Sequence, residues 1–259
     1  MGPALGTACG GKGTDVTITL GYWDIRGLGA PVRMALEFYS IPYTEQLFSL
    51  TMDGSGQVTG NTWAPGKEEL KATNSLQNVP YIVHGETTIC QTVAILMYLQ
   101  KVGKPLSTKE DVLCHQMLCQ AQDLRNALIS IMYAAPFGIT SPEAFKKDSY
   151  AQAKSHIDTV VKDNYEKCDG FIKVSGGPYT LGAKACVGDM HLWEMVDQHE
   201  IMAKDLGFPS PVEAYPYVKK MYETMRKEKT LERYFASKEY MVYPLNNKIA
   251  VYGDKPRGS

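Results

Sequence analysis

Four short stretches of this chain combine residue types and spacings that could do chemistry. Tyr22 ends a strand-like run that begins at Thr17, just ahead of the turn Asp24-Ile25-Arg26-Gly27-Leu28-Gly29. A phenol at the carboxyl end of a strand, before a helix, stands at the edge where ligands gather in α/β sheets. It could donate a hydrogen bond to an anion and so lower the pKa of a bound acid; the alternative is a packed aromatic. Asn78-Val79-Pro80 precedes another apolar run. A cis proline there would turn the Val79 backbone outward to pair with an extended peptide, whereas an ordinary edge-strand proline would not. Gln91-Thr92 opens a helix directly after a strand, which suits a carboxylate or is simply a helix cap. Trp63 and Lys67 sit four residues apart. An indole N–H and an ammonium could clamp a second carboxylate, although most lysines are solvated surface. Together the four stretches describe a site for a short, doubly anionic peptide, with a hydroxyl donor beside its reactive group.

The elements that must hold these residues follow from periodicity. Strands are expected at 17–22, Tyr43–Phe48, Val79–Val83 and Thr87–Cys90, with helices at Ala30–Ser40, near Lys67, and at Gln91–Lys101. Leu50–Thr62 is rich in Gly, Ser and Thr and reads as a loop. The order βαβ then αββα argues for a small mixed sheet with helices on it. Val102–Thr108, a Gly/Pro linker, divides this part from an all-helical second half. Helical spacing recurs there over Asp111–Ala135, Pro142–Tyr165, Cys186–Leu206, Ser210–Lys227 and Leu231–Ser237. The expected organisation is a disordered tail at 1–16, an α/β domain at 17–101, a linker at 102–108 and an all-α domain at 109–259.

Composition narrows the function classes. The 259 residues carry 27 Lys and Arg against 28 Asp and Glu, with neither sign in a long block. A general nucleic-acid binder would show a basic stripe, so none is expected as partner. No apolar run approaches the ~18–20 residues that span a bilayer. The Gly-rich start has no signal-peptide pattern, and Pro3 beside Gly2 argues against myristoylation. Six cysteines (Cys9, Cys90, Cys114, Cys119, Cys168, Cys186) show no metal spacing. They are expected to be reduced, mostly packed thiols in a cytoplasmic protein.

With these residues in view, the chain resembles the cytosolic glutathione S-transferases, the mu class above all. The motif Leu20-Gly21-Tyr22-Trp23-Asp24-Ile25-Arg26-Gly27-Leu28 carries the likeness. So do Trp63-x-x-x-Lys67, Asn78-Val79-Pro80-Tyr81, Gln91-Thr92-x-Ala94-Ile95-Leu96, Gly182 to Asp189, and Lys248-Ile249-Ala250-Val251-Tyr252-Gly253, so the likeness spans 17–253. The resemblance implies a thioredoxin-like α/β domain followed by an all-α domain, a homodimer, and glutathione as co-substrate with no metal. It implies a detoxifying transferase in which Tyr22 donates to the glutathione sulfur and the thiolate attacks hydrophobic electrophiles. A ligand-carrying protein and a glutathione-dependent isomerase are the alternatives. Trp23, Leu28, Trp63, Lys67, Asn78, Val79, cis Pro80, Gln91 and Thr92 would hold the tripeptide, and Asp123 would reach it across the dimer. Tyr133 and Leu28 would line the electrophile site, where Met117, Gln120, Leu124 and Leu128 are helical candidates. The chain departs from the family in having Thr92 for serine, Leu76 near the aromatic key of the dimer, and Cys186 as the cap before Asp189. It also departs in the neighbours of Tyr133, from Ile131 to Phe137.

Overall fold

The computed structural model of the chain describes residues 17–55, 57–133 and 148–257. The expectations for the 1–16 tail, Cys9 and the residues Ala134 to Phe137 lie outside them.

The strand β1 (Ile18–Trp23) lies inside the sheet, and Ile18, Leu20 and Tyr22, which share one of its faces, are all buried. Helix α1 (Ala30–Phe38) follows, with Pro31 in its first turn where a missing N–H costs nothing. It returns the chain to β2 (Tyr43–Phe48), which pairs parallel to β1. The segment read as a loop instead folds into a small hairpin, β3 (Leu50–Met52) with β4 (Val58–Asn61). Its turn is closed by Asp53, whose Oδ1 accepts the backbone N–H groups of Ser55 and Gln57. Composition pointed to a loop; the Asx closure and the β-branched Thr51, Val58 and Thr59 decide the hairpin. Helix α2 (Ala64–Lys71) comes next, capped by Asn61, whose Oδ1 accepts from the N–H groups of Trp63 (3.1 Å) and Ala64 (2.8 Å). Strands β5 (Tyr81–His84) and β6 (Thr87–Cys90) form an antiparallel pair, completing a sheet of order β2-β1-β5-β6.

Helix α3 (Thr92–Gly103) leads through Ser107 to the long α4 (Thr108–Met132). That helix starts three residues before the apolar period does, because Ser107 and Glu110 form a reciprocal capping box. Beyond it, α5 (Ser149–His156) runs through a π-helical turn at Ile157–Val161 into α6 (Lys162–Ser175). The sequence reading ended this stretch at Tyr165. Cys168 and Ile172 keep the same face buried for two more turns, and Gly176, at φ 84°, ends it. Helix α7 (Val187–Leu206), buried without a break from Val187 to His199, forms the spine of this half and packs on α4. Helices α8 (Pro216–Met225), α9 (Glu232–Ala236) and α10 (Lys238–Met241) close the bundle. One continuous core joins both halves, from Ile18, Val32 and Leu96 to Leu118, Trp193 and Tyr234.

Asp189 anchors the start of α7: its carboxylate accepts the N–H groups of Cys186 (2.9 Å) and Thr180 (2.8 Å). With Cys186 in the cap position, a sulfur in place of a hydroxyl, the helix start rests on a carboxylate that serves two segments at once. Among the described residues no helix is long and apolar enough to cross a membrane.

Candidate functional site

Strand pairing brings three of the four candidate stretches to one end of the sheet. Gly21 pairs with Tyr81, so Pro80 arrives beside Tyr22; Tyr81 pairs with Cys90, so Gln91 and Thr92 follow at the same end. The fourth arrives through side-chain packing. Trp63 stacks on Tyr81 at 5.4 Å between ring centroids and lies 4.9 Å from Phe48, whose backbone pairs with Trp23. Trp23, Phe48, Trp63, Val79, Tyr81 and Cys90 thus form one small aromatic cluster under the site.

Tyr22 is 5% exposed, and its oxygen accepts the Leu28 N–H at 2.8 Å. That bond fixes the phenol while leaving its own proton without an acceptor among the described residues. Burial pushes its pKa up to about 12, against smaller opposing pulls from Arg125 and the Leu28 N–H. The group is therefore a hydrogen-bond donor at neutral pH, and not a base. Two glycines make room for the ring: a Cβ at Gly27 would meet the Tyr22 oxygen at 2.5 Å, and one at Gly29 would meet Cδ1 at 2.5 Å. Gly27, at φ 39°, also serves the turn, whereas Gly21 has no turn role; it leaves space for the Tyr81 ring.

Several polar atoms around this end are buried and unpartnered: Trp63 Nε1, Thr92 Oγ1 and both amide atoms of Gln77. Buried polar groups normally find partners, so such a cluster marks a place where a ligand would complete the hydrogen bonding. Gln91 holds a left-handed backbone, φ 72°, at the start of α3, a strained conformation for a residue with a Cβ. The Val79–Pro80 bond is cis. The Val79 N–H is taken by the Asn78 side chain at 2.9 Å, and no described residue holds the Val79 carbonyl. Lys67 lies one turn along α2 from Trp63 and is half-buried.

On α4, Leu124, Leu128 and Arg125 face inward, Asp123 faces outward, and Tyr133 follows the last turn. Tyr133 is tied to the C-terminal segment: its oxygen accepts the Asn247 N–H at 2.8 Å, and the Val251 N–H meets the Met132 carbonyl. The same segment reaches the turn after β1, where Arg26 and Gly27 donate to the carbonyls of Pro244 and Leu245. Burial raises the Tyr133 pKa, so this phenol too keeps its proton. Met117 and Gln120 do not join this group. At 1.5 Å per residue, Met117 lies about 24 Å along the helix from Tyr133, packed against Gly188 in the main core. Gln120 faces a cavity of about 190 Å³ with Lys167, Cys168 and Phe171, and its amide donates to Asn164. Both stand apart from Leu28, Leu124, Leu128 and Tyr133, since helical spacing places residues on a face but not at a depth along it.

Sequence reasoning missed Gln77 and Arg125. A charged residue within the apolar stripe of α4, four after Ala121 and three before Leu128, was the available signal for the second. The five cysteines in the described residues are free, and four of them are buried. Burial pushes the Cys168 thiol up to about 12.

Residues 57–101 match the family model described as Glutathione S-transferase, N-terminal domain, and residues 123–238 match Glutathione S-transferase, C-terminal domain. The chain is 27% identical to Glutathione S-transferase Mu 4 of Homo sapiens over 93% of its own length and 100% of that protein. It is 27% identical to Glutathione S-transferase Mu 1 of Bos taurus over 91% and 98%. Among solved structures, the glutathione S-transferase Blo t 8 superposes with a TM-score of 0.68 at 21% identity, covering 91% of this chain and 99% of that one. The Pi-class glutathione S-transferase of Onchocerca volvulus gives 0.68 at 18%, over 90% and 99%.

Proposed function

This chain belongs to the glutathione S-transferase family, and from that premise we propose that it conjugates glutathione to hydrophobic electrophiles through Tyr22. One observation carries the reading: a buried, protonated phenol, held at 2.8 Å by the Leu28 N–H, with its own proton free to donate. A thiol is mostly protonated at neutral pH, and its thiolate is the nucleophile. A hydrogen bond from Tyr22 favours the charged sulfur, each pKa unit corresponding to about 1.4 kcal/mol. The sulfur then attacks an electrophilic carbon and forms a thioether, while ordering of the tripeptide turns an encounter into a positioned attack.

In this proposal the tripeptide lies along the end of the sheet. The unpartnered Trp63 Nε1 and the half-buried Lys67 hold its glycine carboxylate, and Leu28 and Trp23 flank it. Val79 pairs with its cysteinyl backbone through the carbonyl that no described residue occupies, beside Asn78 and Pro80. Gln91 and Thr92 take the γ-glutamyl carboxylate, with Thr92 Oγ1 buried and waiting for a donor or acceptor. Asp123 is exposed, as a residue reaching the ammonium group across a homodimer must be. Leu76, 71% exposed, is the corresponding contact into a partner subunit. Residues 17–101 then form the glutathione half and 109–259 the half that completes the electrophile site with Leu28, Leu124, Leu128 and Tyr133. Detoxification in the cytoplasm is the setting, supported by the free thiols.

Tyr22→Phe tests the proposal. The variant should stay bound to immobilised glutathione, yet lose conjugation of 1-chloro-2,4-dinitrobenzene by about 10²–10³-fold. Full activity in the variant sinks the mechanism; failure of the unaltered chain to bind the matrix sinks the tripeptide site. A carrier of hydrophobic ligands has no use for a donor at the sulfur and would be indifferent to this substitution.

A further inference from the structure

Four large apolar side chains stand out from the surface around the C-terminal segment: Leu47, Met241, Val242 and Ile249, each between 38% and 52% exposed. Contacts place them on one face. Leu47 lines a groove of about 420 Å³ with Lys238 and Glu239. One turn along α10 from Lys238, Met241 lines a second groove, of about 630 Å³, with Ile201, Lys204, Leu245, Lys255 and Arg257. The Arg257 N–H donates to the Val242 carbonyl at 2.8 Å. Lys248, next to Ile249, reaches the carbonyl of Leu50 at 3.2 Å, close in sequence to Leu47.

Cations surround these side chains. Residues 238–257 hold Lys238, Lys248, Lys255 and Arg257 against Glu239 and Asp254, in a chain whose formal net charge is −1. Lys204 adds a fifth cation, and its neighbour Asp205 is bonded to the Tyr252 hydroxyl at 2.7 Å. On other helices lysines meet carboxylates one turn away, as in Lys154 with Asp158, Lys162 with Glu166 and Lys167 with Asp163. None of the five cations on this face has an ion pair among the described residues. An apolar patch alone suits a second copy of the chain, and unpaired cations alone suit a soluble anion. Interleaved, they match a boundary with negative charge outside and hydrocarbon beneath. Such attachment needs no spanning helix, only side chains that enter the headgroup layer while the backbone stays hydrated.

We propose that this face docks the protein reversibly on an anionic lipid bilayer. Met241, Val242 and Ile249 enter the boundary between headgroups and acyl chains, with Leu47 at the rim, and the five cations meet the acidic headgroups. Neither signal suffices by itself: the four side chains bury little area, and each cation near a charged surface contributes about a 5-fold gain in partition. Together they give binding that is salt-sensitive and easily reversed. Docking turns the segment 244–251 toward the bilayer, and with it Asn247, whose N–H meets the Tyr133 oxygen. On the transferase reading, electrophiles dissolved in lipid then reach the Tyr133 end without crossing bulk water; the docking itself does not depend on that reading.

Co-sedimentation with vesicles tests the proposal, using phosphatidylcholine alone or with about 30% phosphatidylserine. At about 0.05 M salt the unaltered chain should bind the acidic vesicles at least about 10-fold more tightly than the neutral ones, and about 0.5 M salt should abolish the difference. The double variant Lys238→Gln/Lys255→Gln should lose about 10-fold or more, and Met241→Ser/Val242→Ser a comparable amount. Lys101→Gln/Lys104→Gln, at the end of α3, should change by under about 2-fold. Hydrogen exchange on the vesicle-bound chain should show protection confined to 238–257 and the junction of β2 with β3. Equal binding to neutral and acidic vesicles, equal losses in the α3 variant, or protection elsewhere overturns the proposal. A change of oligomeric mass in Met241→Ser/Val242→Ser, with vesicle binding unaltered, assigns the face to a second copy and overturns it too. Saturable binding of monomeric decanoate with no binding to vesicles assigns it to a soluble amphiphile, with the same consequence. If a variant does not fold, the unaltered chain decides alone, through its preference for acidic vesicles and its salt dependence.

Discussion

Tyr22 can act as a donor because three small decisions in the neighbouring chain converge on its ring. Gly27 and Gly29 vacate the space, and the Leu28 N–H holds the oxygen. The high pKa has a consequence for rate profiles. A phenol held near 12 contributes no ionisation between pH 6 and 9, so the rise in conjugation over that range should follow the thiol alone and vanish as a function of Tyr22. Gly29→Ala is the sharper probe of position. Its Cβ would overlap Tyr22 Cδ1 at 2.5 Å, tilting the ring away from the Leu28 N–H. A displacement near 1 Å at a reacting group costs on the order of 10²-fold in rate. Steady-state kinetics on Gly29→Ala should show that loss in kcat with glutathione affinity nearly retained; unchanged kcat would mean that the ring position does not matter.

Elements hold the site by approaching one another unusually closely. Helices α4 and α7 approach each other closely at Gly188. A Cβ there would stand 2.8 Å from the Cys114 carbonyl oxygen and 2.9 Å from Met117 Cβ. Backbone cannot give way as a flexible side-chain tip can, so Gly188→Ala must separate the two helices. Thermal or urea unfolding should report a destabilisation of about 1–3 kcal/mol. Because Leu124 and Leu128 lie further along the same α4 face, catalysis should suffer beyond what the stability loss explains. A variant as stable as the unaltered chain would show that the helices have room to part.

Over the whole molecule, buried charge and buried imidazole set the response to acid. The Arg26 turn of the α/β half is bonded to Glu194 and Asp197 on α7, and Tyr222 and Tyr240 add their hydroxyls to Asp197. This network joins the halves next to the turn that bears Leu28. Deeper in the helical half, the Nε2 atoms of His156 and His199 lie within hydrogen-bond distance at 3.2 Å, and His199 Nδ1 meets the Tyr165 hydroxyl. Burial pushes His156 down to about 4 and His191 down to about 3, and it holds His199 well below the usual range. An unfolded histidine titrates near 6.5. Between pH 6.5 and 4 the unfolded chain therefore binds protons that the folded chain refuses, and stability falls as pH falls. The slope reaches at most about 1.4 kcal/mol per pH unit for each histidine. Glu194 and Asp189, raised by burial, lean the other way, but they are two groups against three. Melting temperatures should drop steadily from pH 7 to 4.5, and a flat profile would contradict this assignment.

The amino-acid sequence by itself determined whatever depends on residues near one another along the chain. The strand into the Tyr22 turn, the pairing of β5 with β6, the start of α3 at Gln91-Thr92 and the helical second half all follow from periodicity, caps and turn residues a few positions apart. The family likeness drew on the same short motifs. What tertiary structure alone decided involves partners remote in sequence. Asn247 meets Tyr133 across 114 positions, and Arg26 meets Glu194 across 168. The depth of Met117 along α4, and the absence among the described residues of a hydrogen-bond partner for Nε and Nη1 of Arg125, are of the same kind. A buried arginine and a solvated one are identical letters in a helical pattern. Which of them has a counter-ion depends on where the other elements come to rest.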